Sequence, residues 1–175
     1  MGYTTYFDGQ LDINPPLNKA QVTYINQFSD TRRMKRDPEK ASKLHDPLRE
    51  AVGLPIGEDG AYYVGGRGFL GQDKDDSVID HNRPPVKQPG LWCQWVINEE
   101  GTMLQWDHGE KFYEYTLWLE YLIEHFFQPW GISLKGSIDW SGEDGNDRGT
   151  IYVHEDGRVE EVFDEITNSG PSWRH

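Results

Sequence analysis

Apolar residues recur at spacings of three and four along residues 110–128. Phe112, Tyr115, Leu119, Leu122, Ile123 and Phe126 fall on one side, while Glu110, Glu114, Glu120 and Glu124 lie mainly elsewhere. That period predicts an amphipathic helix facing a core, ended by Pro129 and Gly131. A second helix is expected over residues 19–34, with Asn18 as N-cap and Val22, Ile25 and Phe28 as its buried stripe. Its basic end, Arg32, Arg33, Lys35 and Arg36, would suit the negative end of the helix dipole. A third helix starts at Asp37-Pro38, as cap and first-turn proline. It would bury Leu44, Leu48 and Val52 before Gly53 and Pro55 stop it.

Aromatic and β-branched residues predict strands at 2–7, 61–64, 91–97, 102–106, 132–140, 149–154 and 158–163. Residues 91–97 and 102–106 form a hairpin around Asn98-Glu99-Glu100-Gly101. Both faces of its first strand carry apolar residues, so a central position in the sheet is expected. The last three strands form a meander, turned at residues 142–147 and at Asp156-Gly157. Residues 65–90, rich in Gly, Asp and Pro, read as a long loop. The sum is one α+β domain over residues 1–166 with a flexible tail at 167–175. Its expected architecture is an antiparallel sheet with a long core helix and N-terminal helices packed on one face.

Composition sharpens this picture. Aromatics make up 13% of the 175 residues, and six of the seven tryptophans lie within residues 91–140, which marks that stretch as the core. The net charge of -13 disfavours direct binding of nucleic acid or of an anionic membrane. Basic protein surfaces are the natural complement. A single cysteine, Cys93, rules out an intrachain disulfide and fits a reducing cytoplasm. Neither a signal peptide nor a membrane span is legible, so a cytoplasmic location in a bacterial host is expected.

Several blocks carry a resemblance. They are Gly2-Tyr3-Thr4-Thr5-Tyr6-Phe7, Leu91-Trp92-Cys93-Gln94-Trp95 followed by Glu99 to Trp106, Gly109-Glu110-Lys111-Phe112-Tyr113-Glu114-Tyr115 with Trp118-Leu119-Glu120-Tyr121-Leu122-Ile123, and Leu134 through Trp140 with Gly142-Glu143-Asp144, Asp147 and Gly149-Thr150-Ile151. Through them the chain resembles a family of small, largely uncharacterised proteins of bacteria and their phages. The resemblance implies a bacterial or phage context and no reaction.

Catalytic and metal signatures are sparse. Asp139, Glu143, Asp144 and Asp147 have the oxygens a divalent cation needs, but not EF-hand order, and read as a solvated hairpin turn. The six histidines lack zinc spacing with one another or with Cys93. His108 with Glu110 reads as part of a helix start rather than an acid–base pair, with Asp107 and Glu110 placed there for capping and dipole reasons. Cys93, between two tryptophans, reads as a small buried hydrophobe. Gly65-Gly66-Arg67-Gly68 lacks the ending of a phosphate loop. No metal or cofactor is expected.

The acidic last third holds the main functional expectation. Asp139, Glu143, Asp144, Asp147, Glu155, Asp156, Glu160 and Glu161 would form an acidic face that docks on a basic protein surface, such as that of a nucleic-acid-binding protein. The expected function is a non-enzymatic interaction module of phage or mobile-element type. An inhibitor of a host defence system, such as an anti-CRISPR protein, is one instance. The alternative is a small enzyme acting on a nucleotide or sugar, with a pocket formed by Tyr62, Arg67, Trp92, Trp95 and Trp106.

Overall fold

The computed structural model describes residues 2–65 and 75–164. Its centre is a six-stranded antiparallel sheet in the order β4-β5-β1-β6-β7-β8. The strands are β1 (Thr5–Asn14), β4 (Trp95–Ile97), β5 (Met103–Trp106), β6 (Ser133–Gly142), β7 (Arg148–Val153) and β8 (Val159–Phe163). The expected hairpin and meander both form, and the fold is α+β as the pattern predicts. Arg67 and the tail at 167–175 lie outside the described residues.

The first strand runs further than its aromatic start suggests. It pairs with β6 from Thr5↔Gly142 to Asn14↔Ser133, and Pro15-Pro16 then stops it. Phe7, Leu11 and Ile13 point into the core, while Tyr6, Asp8, Gln10 and Asp12 point to solvent. Phe7 packs edge-on against Trp95, Trp106, Phe112 and Tyr115, at centroid distances of 5.2, 5.3, 5.9 and 5.0 Å. On the same inner face the Trp140 ring crosses Gly149, where a Cβ would stand 2.9 Å from Trp140 Nε1, and reaches Phe163.

Helix α1 (Lys19–Ser29) opens with the capping box expected at Asn18: Gln21 N–H donates to Asn18 Oδ1 at 2.8 Å, and Asn18 N–H to Gln21 Oε1 at 2.9 Å. Val22, Ile25 and Phe28 are buried as predicted. The helix stops at Ser29, well before residue 34, so the basic run is not a helix end. Instead Arg33 N–H bonds Leu91 O, and the Arg33 and Arg36 side chains turn inward.

The expected third helix divides into α2 (Pro38–Ala41) and α3 (Pro47–Ala51). Pro47 explains the break, because it excludes helical geometry from Asp46, which lies at φ -147°. The stretch 61–64 is not a strand. Three of its N–H groups make local backbone turns, and side chains take up much of the rest: Ala61 O accepts from Arg33 and Gln88, Tyr62 O from Tyr24 Oη, Val64 O from Thr31 Oγ1, and Val64 N–H donates to Asp46 Oδ1. The 65–90 segment contributes β3 (Val78–Asp80), which pairs with β2 (Lys35–Arg36) in a small second sheet.

Two further expectations change. The long helix begins at Tyr115 rather than 110, runs as α4 (Tyr115–Leu122), and widens into a π-turn over Ile123–Phe127. Lys111 and Glu114 adopt left-handed φ of 59° and 58°, which prevents an earlier start. The wider π-turn accompanies burial of both Phe126 and Phe127. Strand β4 is an edge strand, not a central one. Helix α1 covers that edge: Ile97 N–H donates to Asn26 Oδ1 at 2.8 Å, Asn26 Nδ2 donates to Ile97 O at 3.1 Å, and Ser29 Oγ donates to Trp95 O at 2.6 Å. Edge protection by side chains makes an apolar strand safe at the sheet margin.

Asn26→Ala strands both backbone groups of Ile97. A loss of about 1–3 kcal/mol is expected, read as a fall in Tm of about 2–4 °C per kcal/mol for a chain this size. Thr23→Ala, on the exposed side of the same helix, is expected to shift stability by less than about 0.5 kcal/mol.

Candidate functional site

One face of the six-stranded sheet carries the helices. The opposite face is bare among the described residues and presents Tyr6, Asp8, Gln10 and Asp12 of β1, Lys135, Ser137 and Asp139 of β6, Thr150 and Tyr152 of β7, and Glu160 and Val162 of β8. Tyr6 is 53% exposed, Tyr152 41% and Val162 44%, so the surface is apolar as well as charged. A groove of about 360 Å³ runs between β1, β6 and β7, with Tyr6, Asp8, Asp139, Arg148 and Thr150 on its walls.

Asp8 and Asp139 stand directly opposite one another across the β1–β6 pair. Facing side chains in such a pair lie about 5 Å apart, and like charges there repel. Asp139 Oδ1 accepts from Thr150 Oγ1 at 2.8 Å. No ion pair reaches either carboxylate among the described residues. The nearest cation along the groove, Arg148, pairs with Asp164 at 3.5 Å instead.

The eight carboxylates singled out in the sequence do not share a face. Asp139 and Glu160 lie on the bare face. Glu143, Asp144 and Asp147 lie in the β6–β7 turn, where they hold the start of the chain. Thr4 N–H donates to Glu143 Oε2 at 2.7 Å, Tyr3 Oη donates to Asp147 Oδ2 at 2.6 Å, and Asp144 N–H donates to Tyr3 Oη at 3.2 Å. Glu155 and Asp156 lie in the β7–β8 turn, roughly 20 Å away at the far end of β7. Glu161 points to the inner side, where it accepts from Tyr115 Oη at 3.0 Å, and burial raises its pKa.

The aromatic residues expected in one pocket are also dispersed. Trp95 is wholly buried and donates through Nε1 to Tyr115 O. Trp106 is buried beside Phe7, with the His108 ring 4.8 Å away on its other side. Trp92 borders a separate hollow near Tyr113. Tyr62 donates to or accepts from His125 Nδ1 at 2.8 Å. These four therefore do not converge on one ligand.

Other candidates resolve into structure. Burial pushes the Cys93 thiol up to about 12, which removes it as a nucleophile at neutral pH. Asp107 does not cap a helix; it accepts Gly109 N–H at 2.7 Å in the loop before α4. The basic cluster is largely internal. Arg36 pairs with Asp75 at 3.0 Å, and Arg32 donates to His81 O at 3.0 Å. Among the described residues no group of three or more His, Cys, Asp or Glu side chains could hold a metal ion.

One cluster was not anticipated. His125, on the π-turn, stacks on Tyr121 at 4.1 Å, and Tyr121 Oη accepts from Gln88 Nε2 at 2.9 Å. Its pKa is lowered by burial, with Lys87 adding to the effect and Glu124 opposing it. No helix among the described residues is long and apolar enough to cross a membrane. Comparison of the chain with protein-family models, with curated proteins and with solved structures returns no match, so the site is read from its own geometry.

The depressed His125 pKa means that the folded state binds a proton less readily than the unfolded state. Its contribution therefore favours folding above the ordinary histidine value of 6.5 and is lost as pH falls below it. Urea unfolding at pH 5 and pH 7.5 is expected to show a smaller pH dependence in His125→Asn, whose amide oxygen replaces Nδ1, than in the parent. An unchanged difference would show that His125 is not linked to folding.

Proposed function

We propose that the protein is a non-enzymatic binding module whose bare sheet face docks on a basic surface of another protein. The unneutralised Asp8–Asp139 pair carries this reading. Cross-strand repulsion of this kind destabilises the free protein by a few tenths to about 1 kcal/mol. A lysine or arginine on a partner relieves that repulsion on docking. The exposed Tyr6, Tyr152 and Val162 supply apolar contact beside the charges, the mixture that interface centres and rims use. A net charge of -13 steers the same encounter at long range.

The partner class that fits is a nucleic-acid-binding protein, because its phosphate-reading surface is both basic and accessible. A host defence effector is one member of that class, and a phage or mobile-element origin would suit it. Surrogate charge here comes from Asp8, Asp12 and Asp139 rather than from the two meander turns, while Glu160 is already engaged by Arg158 at 3.6 Å and His154 Nε2 at 3.1 Å. The turn carboxylates are in part already used to hold Tyr3 and Thr4.

Capture from bacterial lysate on immobilised protein at about 50 mM and about 500 mM salt tests the reading, since the longer-range part is screened at the higher value. The partner is expected to be retained at low salt and released at high salt. Asp8→Asn and Asp139→Asn are each expected to weaken capture by about fivefold, near 1 kcal/mol, while raising Tm slightly. A partner held equally at both salts, and equally by the Asp8→Asn/Asp139→Asn double variant, would contradict it.

A further inference from the structure

Away from the bare face, residues 107–114 form a loop with a local cost. His108, Lys111 and Glu114 all sit at left-handed φ, 69°, 59° and 58°, without being glycine. Such conformations cost of order 1–3 kcal/mol each and persist where surroundings enforce them. Here Gln94 Nε2 holds Glu110 O at 3.0 Å, and Tyr3 N–H holds Tyr113 Oη at 3.2 Å. The enforced path sets Glu110, Lys111 and Tyr113 along one wall of a hollow of about 330 Å³; Gly90, Leu91, Trp92 and Gln94 supply the rest. That volume lies at the lower end of small-ligand sites, roughly 300–1,000 Å³.

The chemistry of the lining is specific. Trp92 is half-buried and Tyr113 exposed, so an aromatic face is available at each. The Trp92 indole N–H, the Lys111 ammonium and the Glu110 carboxylate have no hydrogen-bond or ion-pair partner among the described residues. Gln94, by contrast, is fixed at both ends, since its Oε1 accepts from Trp106 Nε1 at 3.3 Å. At Gly90 a Cβ would meet only Trp118 Nε1, at 3.8 Å, and that buried indole N–H has no acceptor among the described residues.

We propose that this hollow binds a neutral saccharide ring, one face stacked on Trp92 and its hydroxyls shared between Glu110, Lys111 and the Trp92 N–H. A sugar hydroxyl both donates and accepts, so one ring can serve a carboxylate and an ammonium together. Its C–H face meets the negative face of an aromatic ring. A nucleotide is disfavoured because its phosphates would meet Glu110 and a chain of charge -13. The site is separate from the bare sheet face and does not depend on the binding role proposed for it.

The test is titration of ¹⁵N-labelled full chain with methyl glycosides of glucose, galactose, mannose and N-acetylglucosamine, with adenosine as the aromatic alternative. The Trp92 indole signal is assigned through Trp92→Phe. At least one glycoside is expected to shift that signal with a Kd of about 1–10 mM. Trp92→Ala and Gly90→Ala are each expected to weaken binding about tenfold or more. Gly90 lines the hollow and an added methyl would meet only Trp118 Nε1, at an ordinary contact distance, so the spectrum of the variant otherwise stays folded. Asp139→Asn is expected to leave binding unchanged. No shift with any glycoside, a shift with adenosine alone, or binding that survives both pocket variants would overturn the proposal.

Discussion

The fold depends on burying one face of a single sheet. Phe7 sits at the crossing of that requirement, with Trp95, Trp106, Phe112 and Tyr115 around it. Because side chains alternate along a strand, placing Phe7, Leu11 and Ile13 inward commits Tyr6, Asp8, Gln10 and Asp12 to water. The ten-residue pairing with β6 then brings Asp139 to Asp8. A slip of one residue would exchange every inward and outward side chain, so the aromatic cluster fixes the outer face as firmly as the core. Helices α1 and α4 and the π-turn pack on the aromatic side or at its margin, and the second face is open among the described residues.

The rest of the chain is held by polar side chains in place of regular structure. Arg33 is fully buried, with its guanidinium 4.1 Å over the Phe28 ring, and it donates to Ala61 O and Gln88 Oε1. No carboxylate pairs with it among the described residues, and burial lowers its pKa. Asp46 works alongside it, accepting from Val64 and Gly65 N–H and pairing with Arg49 at 2.7 Å. Such groups satisfy backbone that neither helix nor sheet reaches. Buried polar networks of this kind specify one arrangement only when nearly every member is satisfied. Within this network Arg33 Nη1 has no partner among the described residues.

How much of this the sequence shows varies with its cause. The hairpin, the meander, the capped first helix and the stripe of core residues near 115–126 follow directly from local periodicity and turn chemistry. The end of α1 does not, because Arg33 and Arg36 look like helix-terminal cations until the loops above them are in place. Likewise, side-chain acceptors and donors let residues 61–64 stay irregular. Two further signals lie in the sequence itself. Phe7-Asp8-Gly9-Gln10-Leu11-Asp12-Ile13-Asn14 continues the strand alternation past residue 7, which places Asp8 on the outer side of the strand. Pro47 marks the break between the two short helices. Strand parity separates Glu160 from Glu161, since adjacent strand residues face opposite ways, while Glu143, Asp144, Asp147, Glu155 and Asp156 lie in the two turns.

Parity therefore links the core to the surface, and carboxyl footprinting measures it directly. Timed carbodiimide-driven amidation of the folded chain, read residue by residue by mass spectrometry, compares neighbours in nearly the same local sequence. Asp8, Asp139 and Glu160 are expected to react several-fold faster than Glu161, which is half-buried against Tyr115. Equal rates at Glu160 and Glu161, or protection of Asp8 and Asp139 in the isolated protein, would contradict a sheet with one buried and one open face.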